Sequence, residues 1–262
     1  MGEIFDIETG IVELVPDPDE PDAWTLVVNG MPQSHVNLAD PAMIAFDYVR
    51  RTLRIVELLF EDGPLRVLNL GGGGMSIPRC LSLLCPGSEQ TVVEIDSLLA
   101  ELVNERLPLQ PDAGITVTIG DAREFLSRCA PAAYDLIIAD IFTGSAVPRH
   151  VTTPDFVALA HAALRPDGAY IANVIDGRPL GFARRLAAAV HGEYADAIVF
   201  AESDVLDQAY RGNLLMVGAD RRLTVLTELP VEDPYELRAL RGKDLTAFVT
   251  HDDKAMTFEF GD

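Results

Sequence analysis

The chain has 262 residues, 48% of them hydrophobic, enough for one sizeable core and unlike a low-complexity or disulfide-dense peptide. With 41 Asp and Glu against 20 Lys and Arg, the net charge of -21 repels nucleic acid and anionic membranes and attracts cations. A polycationic or amine substrate fits that field, and so does plain solubility in an acidic proteome. Cys80, Cys85 and Cys129 show no CxxC spacing and the five histidines no HxH or HxxxH pairing, so reduced thiols and no metal site are expected. The start "MGEIFDIETG" lacks a basic stretch followed by an apolar core, and no apolar run approaches the ~18 residues of a spanning helix. A cytoplasmic protein without nucleic-acid or membrane partners is the expectation.

In chain order, residues 11–36 read as two-stranded β material: "IVELV", an acidic proline loop, then "WTLVVNGMPQSHV". Asn29-Gly30 between apolar runs is a two-residue hairpin signal, because both positions tolerate positive φ. From Pro41 the pattern turns helical, with Met43, Ile44, Phe46, Tyr48, Val49, Leu53, Val56, Leu58 and Leu59 in one apolar stripe. A small N-terminal β-hairpin domain over 1–40 and a larger domain over 41–262 follow.

After Gly63-Pro64 strand and helix alternate, the pattern of a parallel sheet covered on both faces. The strands are "LRVLNL", "QTVVEI", "ITVTI", "YDLIIAD", "AYIANVI", "AIVFAE" and "NLLMVGA", with helices starting near Pro78, Leu98, Ala122, Thr153 and Leu180. "LRPDG" is read as a helix end, with Gly168 as its left-handed cap. About ten residues separate the last two strands, too few for a helical crossover, so they should be antiparallel. Leu237 to Phe248 is read as one more helix. The fold class is therefore α/β: a Rossmann-like, seven-stranded, methyltransferase-type sheet with helices on both faces, plus the N-terminal hairpin domain.

Ligands of such sheets sit beyond the carboxyl ends of the strands where the winding switches. Four strand ends carry suggestive residues: the glycines from Gly71 to Gly74, then Glu94 with Asp96, Asp121 and Asp140. Glycines at a strand-to-helix turn let backbone N–H groups approach a ligand. Gly71 and Gly73 are followed by Ser76 where a dinucleotide fingerprint has its third glycine. Glu94 suits the ribose hydroxyls of any adenosine cofactor, NAD included, and Asp121 can accept from an adenine amine. Together with the reversed last strand, this acid series favours an adenosyl sulfonium over a dinucleotide. Asp121 as a helix N-cap boxed by Glu124, Glu94 as a solvated strand end and Asp140 as a turn cap remain alternatives. An ammonium has no lone pair and its pKa near ~10.4 leaves little free amine at neutral pH, so a carboxylate such as Asp140 facing the reaction centre can bind it, orient it and take its proton.

These residues resemble the spermidine synthases and their relatives among class I S-adenosylmethionine-dependent transferases. The resemblance runs through the N-terminal hairpin and glutamine, "LNLGGGG", "VVEID", "GDAREFL", "YDLIIAD" and the closing strands. It implies aminopropyl transfer from decarboxylated S-adenosylmethionine to a small-molecule amine acceptor, in a homodimer or higher homo-oligomer. On this resemblance Gln33, Gly71, Gly72, Gly73, Glu94, Asp121 and Ala122 contact the donor, Asp140 is the catalytic acid-base, and Asp140, Thr143 and Tyr210 face the acceptor. The family's GGGDGG has glycine at position 74 here, and its DSxDPxGPA reads "DIFTGSAVP", with Thr143 in place of the second Asp. Loss of an acid at 74 opens donor choice: S-adenosylmethionine itself, used for methyl or aminocarboxypropyl transfer, with its carboxylate on the N–H groups of Gly72 to Met75, is the alternative. A cofactor-binding or oligomerising homologue without catalysis is a third reading. Segments 33–45, 142–153 and 202–212 are expected to wall the pocket.

Overall fold

A computed structural model of the chain describes residues 2–60, 63–142 and 147–250. The chain begins with an antiparallel sheet of β1 (Glu3–Ile7), β2 (Gly10–Pro16), β3 (Ala23–Val28) and β4 (Met31–Asn37), paired in that order. Asn29 and Gly30 turn β3 into β4 with φ of 50° and 79°, the positive values their hairpin signal called for. β1 was not legible as a strand. Its pairing with β2 places Ile4 opposite Glu13 and Ile11 opposite Asp6, so it alternates too weakly to announce itself.

Next come α1 (Asp47–Leu59), β5 (Arg66–Leu70), α2 (Ser76–Leu84), β6 (Glu89–Glu94), α3 (Ser97–Arg106), β7 (Ile115–Ile119), α4 (Ala122–Ser127), β8 (Tyr134–Ala139), α5 (Pro154–Ala163) and β9 (Leu164–Asp176). The chain continues through α6 (Gly181–Glu193), β10 (Asp196–Glu202), α7 (Ser203–Leu206), β11 (Gly212–Ala219), α8 (Leu229–Glu232), β12 (Leu237–Arg241) and α9 (Gly242–Thr250). The second sheet runs β12-β10-β11-β9-β8-β5-β6-β7. From β9 to β7 its strands are parallel, whereas β11 pairs antiparallel with both β9 and β10, as the short connection requires. The seven expected strands are all present, and β12 adds an eighth, antiparallel to β10.

Three expectations are corrected. Leu237 to Phe248 is not one helix: β12 precedes α9, because Leu237 and Leu240 are buried where an edge pairing with β10 was open to them. α1 begins at Asp47 and not near Pro41, and Met43 and Ile44 lie outside it. "LRPDG" belongs to β9, and Gly168 has no positive φ. Gly168 is needed for another reason: a Cβ there would stand 2.9 Å from the carbonyl oxygens of Arg165 and Asp135, at the register irregularity between β8 and β9.

One sheet face is closed by α4, α5 and α6, with Phe156, Val157 and Leu186 buried there; the other by α1 and α2, through Val49, Ile55 and Leu81. The N-terminal sheet packs its Val12, Leu14 and Leu26 against Leu99, Leu102 and Val103 of α3. Asp96 ties the two together: it caps α3 by accepting from Leu99 N–H at 2.9 Å and accepts from Thr9 N–H at 2.7 Å. No helix among the described residues is long and apolar enough to cross a membrane.

Candidate active site

The sheet winds outward in two directions from β5, towards β6 and β7 on one side and β8 and β9 on the other. At that switch point the strands' carboxyl ends open into a cavity of about 450 Å³, roofed by Met31 to Ser34 of β4. Gly71 makes the switch possible. Its φ is +94°, and any Cβ would collide with the Asp140 carbonyl oxygen.

Gly71, Gly72, Gly73, Glu94, Asp121, Ala122, Gln33 and Asp140 all line this one cavity, although they are spread over more than a hundred residues of chain. Glu94 is only 8% exposed, so it is not a solvated strand end. Its Oε2 accepts from Gly72 N–H at 2.8 Å and Gly73 N–H at 3.2 Å, and its Oε1 from Asp96 N–H at 3.0 Å. A carboxylate offers about four acceptor positions, so Glu94 holds the glycine loop in shape and keeps room for about one more donor. Asp121 caps α4 through Glu124 N–H at 2.9 Å and lies 2.9 Å from His150 Nε2. The Glu124 side chain pairs with Arg128. Burial raises the Asp121 pKa, but the donors from Glu124 and His150 outweigh it and hold the group below its ordinary 3.8.

Asp140 follows β8 and is anchored by its N–H to the Leu70 carbonyl at 2.9 Å. Its Oδ2 accepts from the Tyr48 hydroxyl at 3.1 Å and its Oδ1 from Asn173 Nδ2 at 2.8 Å. Asn173 in turn accepts from Asn213 Nδ2 at 2.9 Å, so a polar row crosses β8, β9 and β11. Burial dominates the carboxyl's titration and pushes it up to about 6, against the lowering effect of Asn173 and Tyr48. Tyr48 is itself driven well above 10 by burial and by Asp140, so it remains a proton donor. Asp140 is therefore a carboxylate at neutral pH, close to the pH at which it exchanges a proton. No lysine or arginine lines the cavity among the described residues.

Other expectations need correction. The N–H groups of Gly72 to Met75 are not an open anion seat: the first two serve Glu94, Gly74 N–H donates to Ser34 Oγ at 3.0 Å, and Met75 N–H to the Gly72 carbonyl at 2.8 Å. Tyr210 does not line the cavity; 44% exposed, it donates its hydroxyl to Glu202, and of segment 202–212 residues 208–211 line a pocket, a separate one at the surface. From 142–153, Phe142, Pro148, His150 and Val151 do line the cavity, while Thr143 lies outside the described residues. Tyr48, Asn173, Asn213 and His150 were missed. Tyr48 hid within an apolar helical stripe, whereas an asparagine inside "AYIANVI" was a visible signal, since a buried strand carries a polar residue only with partners.

The Spermine/spermidine synthase domain model matches residues 47–176, the stretch from α1 through β9 that carries Tyr48, the glycine loop and the acid series. Over residues 47–176 the chain belongs to the spermine/spermidine synthase family. It is 36% identical over 132 residues to the polyamine aminopropyltransferase of Vibrio vulnificus, covering 50% of this chain and 44% of that protein. The chain thus matches less than half the length of that relative. It is 34% identical over 142 residues to an N-terminal histidine N-methyltransferase of Emericella nidulans, covering 51% of this chain and 25% of that protein. A crystal structure of a probable spermidine synthase from Corynebacterium glutamicum superposes with a TM-score of 0.88 at 26% identity, covering 100% of this chain and 99% of that one.

Proposed function

We propose that this chain is an aminopropyltransferase-type enzyme that moves the aminopropyl group of decarboxylated S-adenosylmethionine to an amine, with Asp140 as the base. The observation that carries this reading is Asp140 itself: a buried carboxylate at the switch point, titrating near 6 and held from two sides by neutral donors, Tyr48 and Asn173. The cavity suits the donor in size and charge. About 450 Å³ accommodates an adenosyl compound, and a lining with Glu94, Asp121 and Asp140 but no described lysine or arginine favours a sulfonium cation.

When bound, the donor supplies an electrophilic carbon beside a positively charged sulfur. Glu94 would receive a ribose hydroxyl while fixing the glycine loop, Asp121 would receive the adenine amine, and Gln33 and Ala122 would pack along the donor. Asp140 would pair with the incoming ammonium, take one of its protons and leave a lone pair aimed at that carbon. The new N–C bond forms as the C–S bond breaks, its electrons staying on sulfur, so methylthioadenosine leaves as a neutral thioether. Tyr48 and Asn173 keep the carboxylate from rotating away.

The test is methylthioadenosine release from the decarboxylated donor in the presence of an amine mixture. Release that falls by about 10²–10⁴-fold in Asp140→Asn is the expected result. No release in the parent protein would reject the reading.

The second reading, methyl or aminocarboxypropyl transfer from S-adenosylmethionine, is favoured by Gly74 in place of the family's acid and by the histidine N-methyltransferase similarity. Against it, every backbone N–H from Gly72 to Met75 already has an acceptor, so no seat for the donor's carboxylate is left there. Calorimetric titration with both donors decides. Tenfold or greater preference for the decarboxylated compound leaves aminopropyl transfer standing alone.

A further inference from the structure

The sheet order divides the cavity into two halves. Over β6 and β7 lie Glu94 and Asp121, the acids suited to an adenosine. Over β8, β9 and β11 lie Asp140, Asn173, Ile175 and Asn213. The acceptor has to enter this second half, because Asp140 stands at its inner boundary. Its only lining carboxylate among the described residues is Asp140. Beyond Asp140 the polar atoms are neutral amides engaged with one another: Asn173 Nδ2 serves Asp140 and Asn213 Nδ2 serves Asn173. The remaining wall carries no second charge: Phe46, Ile141, Phe142 and Ile175 are apolar, and Tyr48 and Gln33 are neutral.

A diamine brings two positive charges into this half. Asp140 neutralises the reacting one, and the distal ammonium then meets aliphatic and aromatic carbon and neutral groups without a counter-ion, a desolvation that uncharged contacts offset only in part. A monoamine presents one charge to Asp140 and a hydrocarbon body to the wall, which gains from leaving water. The overall charge of -21 draws both kinds of amine towards the protein and does not discriminate between them at contact distance. We propose that the acceptor is a primary monoamine with an apolar body, not a polyamine, and that Ile175 and Phe142 set this specificity.

This inference rests on the aminopropyl-transfer reading and deepens it. Its test is calorimetric binding of n-butylamine and of 1,4-diaminobutane to the full chain saturated with methylthioadenosine, followed by the same pair with Ile175→Asp. Binding of the monoamine at least tenfold tighter than the diamine is expected, and Ile175→Asp should bring the diamine level or ahead. Equal or tighter binding of the diamine by the parent protein, with methylthioadenosine still bound, overturns the specificity and leaves the transferase reading intact. Failure to bind methylthioadenosine at all overturns both.

Discussion

A Cβ on Gly74 would stand 2.7 Å from the Cβ of Ser34, and the Gly74 N–H donates to the Ser34 hydroxyl at 3.0 Å. The glycine at 74 is therefore a packing requirement: β4 lies directly on the glycine loop and fills the space a side chain would occupy. Gly74→Asp should destabilise the protein by about 1–3 kcal/mol, the usual range for forcing atoms into a packed site. Denaturant unfolding checks this, and Ser34→Gly in the same chain should recover part of the loss; no recovery would mean that Ser34 is not the obstacle.

The pH profile of turnover should follow Asp140. On the proposed aminopropyl-transfer reading its ionised form would accept the ammonium's proton, so kcat/KM is expected to rise as pH increases through about 6 and then level off. Asn173 donates to the charged form and lowers the pKa, so Asn173→Ala should move the rising limb to higher pH. A variant with reduced rate and an unmoved limb would show that Asn173 acts only through packing.

Asp140 also costs stability. Its folded pKa is raised by burial from 3.8 to about 6, so the stability of its protonated form is fully present below the unfolded value and is lost as pH climbs through about 6. That rise corresponds to about 3 kcal/mol at neutral pH, less whatever the exchanged hydrogen bonds change. Asp140→Asn should accordingly gain thermal stability over the parent between pH 4 and 7. A difference in Tm that is flat with pH would contradict the buried-carboxylate account.

His161 should set a second pH dependence, far from the cavity. It bridges Glu193 at 2.7 Å and Asp220 at 2.9 Å, joining α5, α6 and the end of β11, and its ring packs on Tyr194. Burial lowers its pKa, but the two carboxylates outweigh burial and raise it above 6.5. The stability it contributes is complete below that unfolded value and is lost as pH rises through the folded one. Thermal unfolding across pH 6 to 9 should show the decline, and His161→Gln should flatten it.

Much of the fold was legible because the patterns that specify it are local. Apolar runs bounded by glycine and proline gave the seven strands, Asn29-Gly30 gave its hairpin, and Thr153 and Asp121 sat where helices had to start. The errors fell where a long-range partner overrode a local signal. Gly168 looked like a helix cap until the approach of Asp135 and Arg165 claimed it, and 237–241 became a strand only because β10 offered an edge.

The site divides in the same way. The sequence alone determined which residues stand at the carboxyl ends of successive strands, and hence that Gly71 to Gly73, Glu94, Asp121 and Asp140 would line one cavity, since neighbouring strand ends in a parallel sheet lie side by side. Only the tertiary structure decided what each of them already holds. Glu94 carries the glycine loop, Asp121 caps a helix beside His150, and Asp140 stands between Tyr48 from α1 and Asn173 from β9, partners 92 and 33 residues away along the chain. Hydrogen-bond partners, and the burial that lifts Asp140 to about 6, depend on distances in space that residue spacing does not encode.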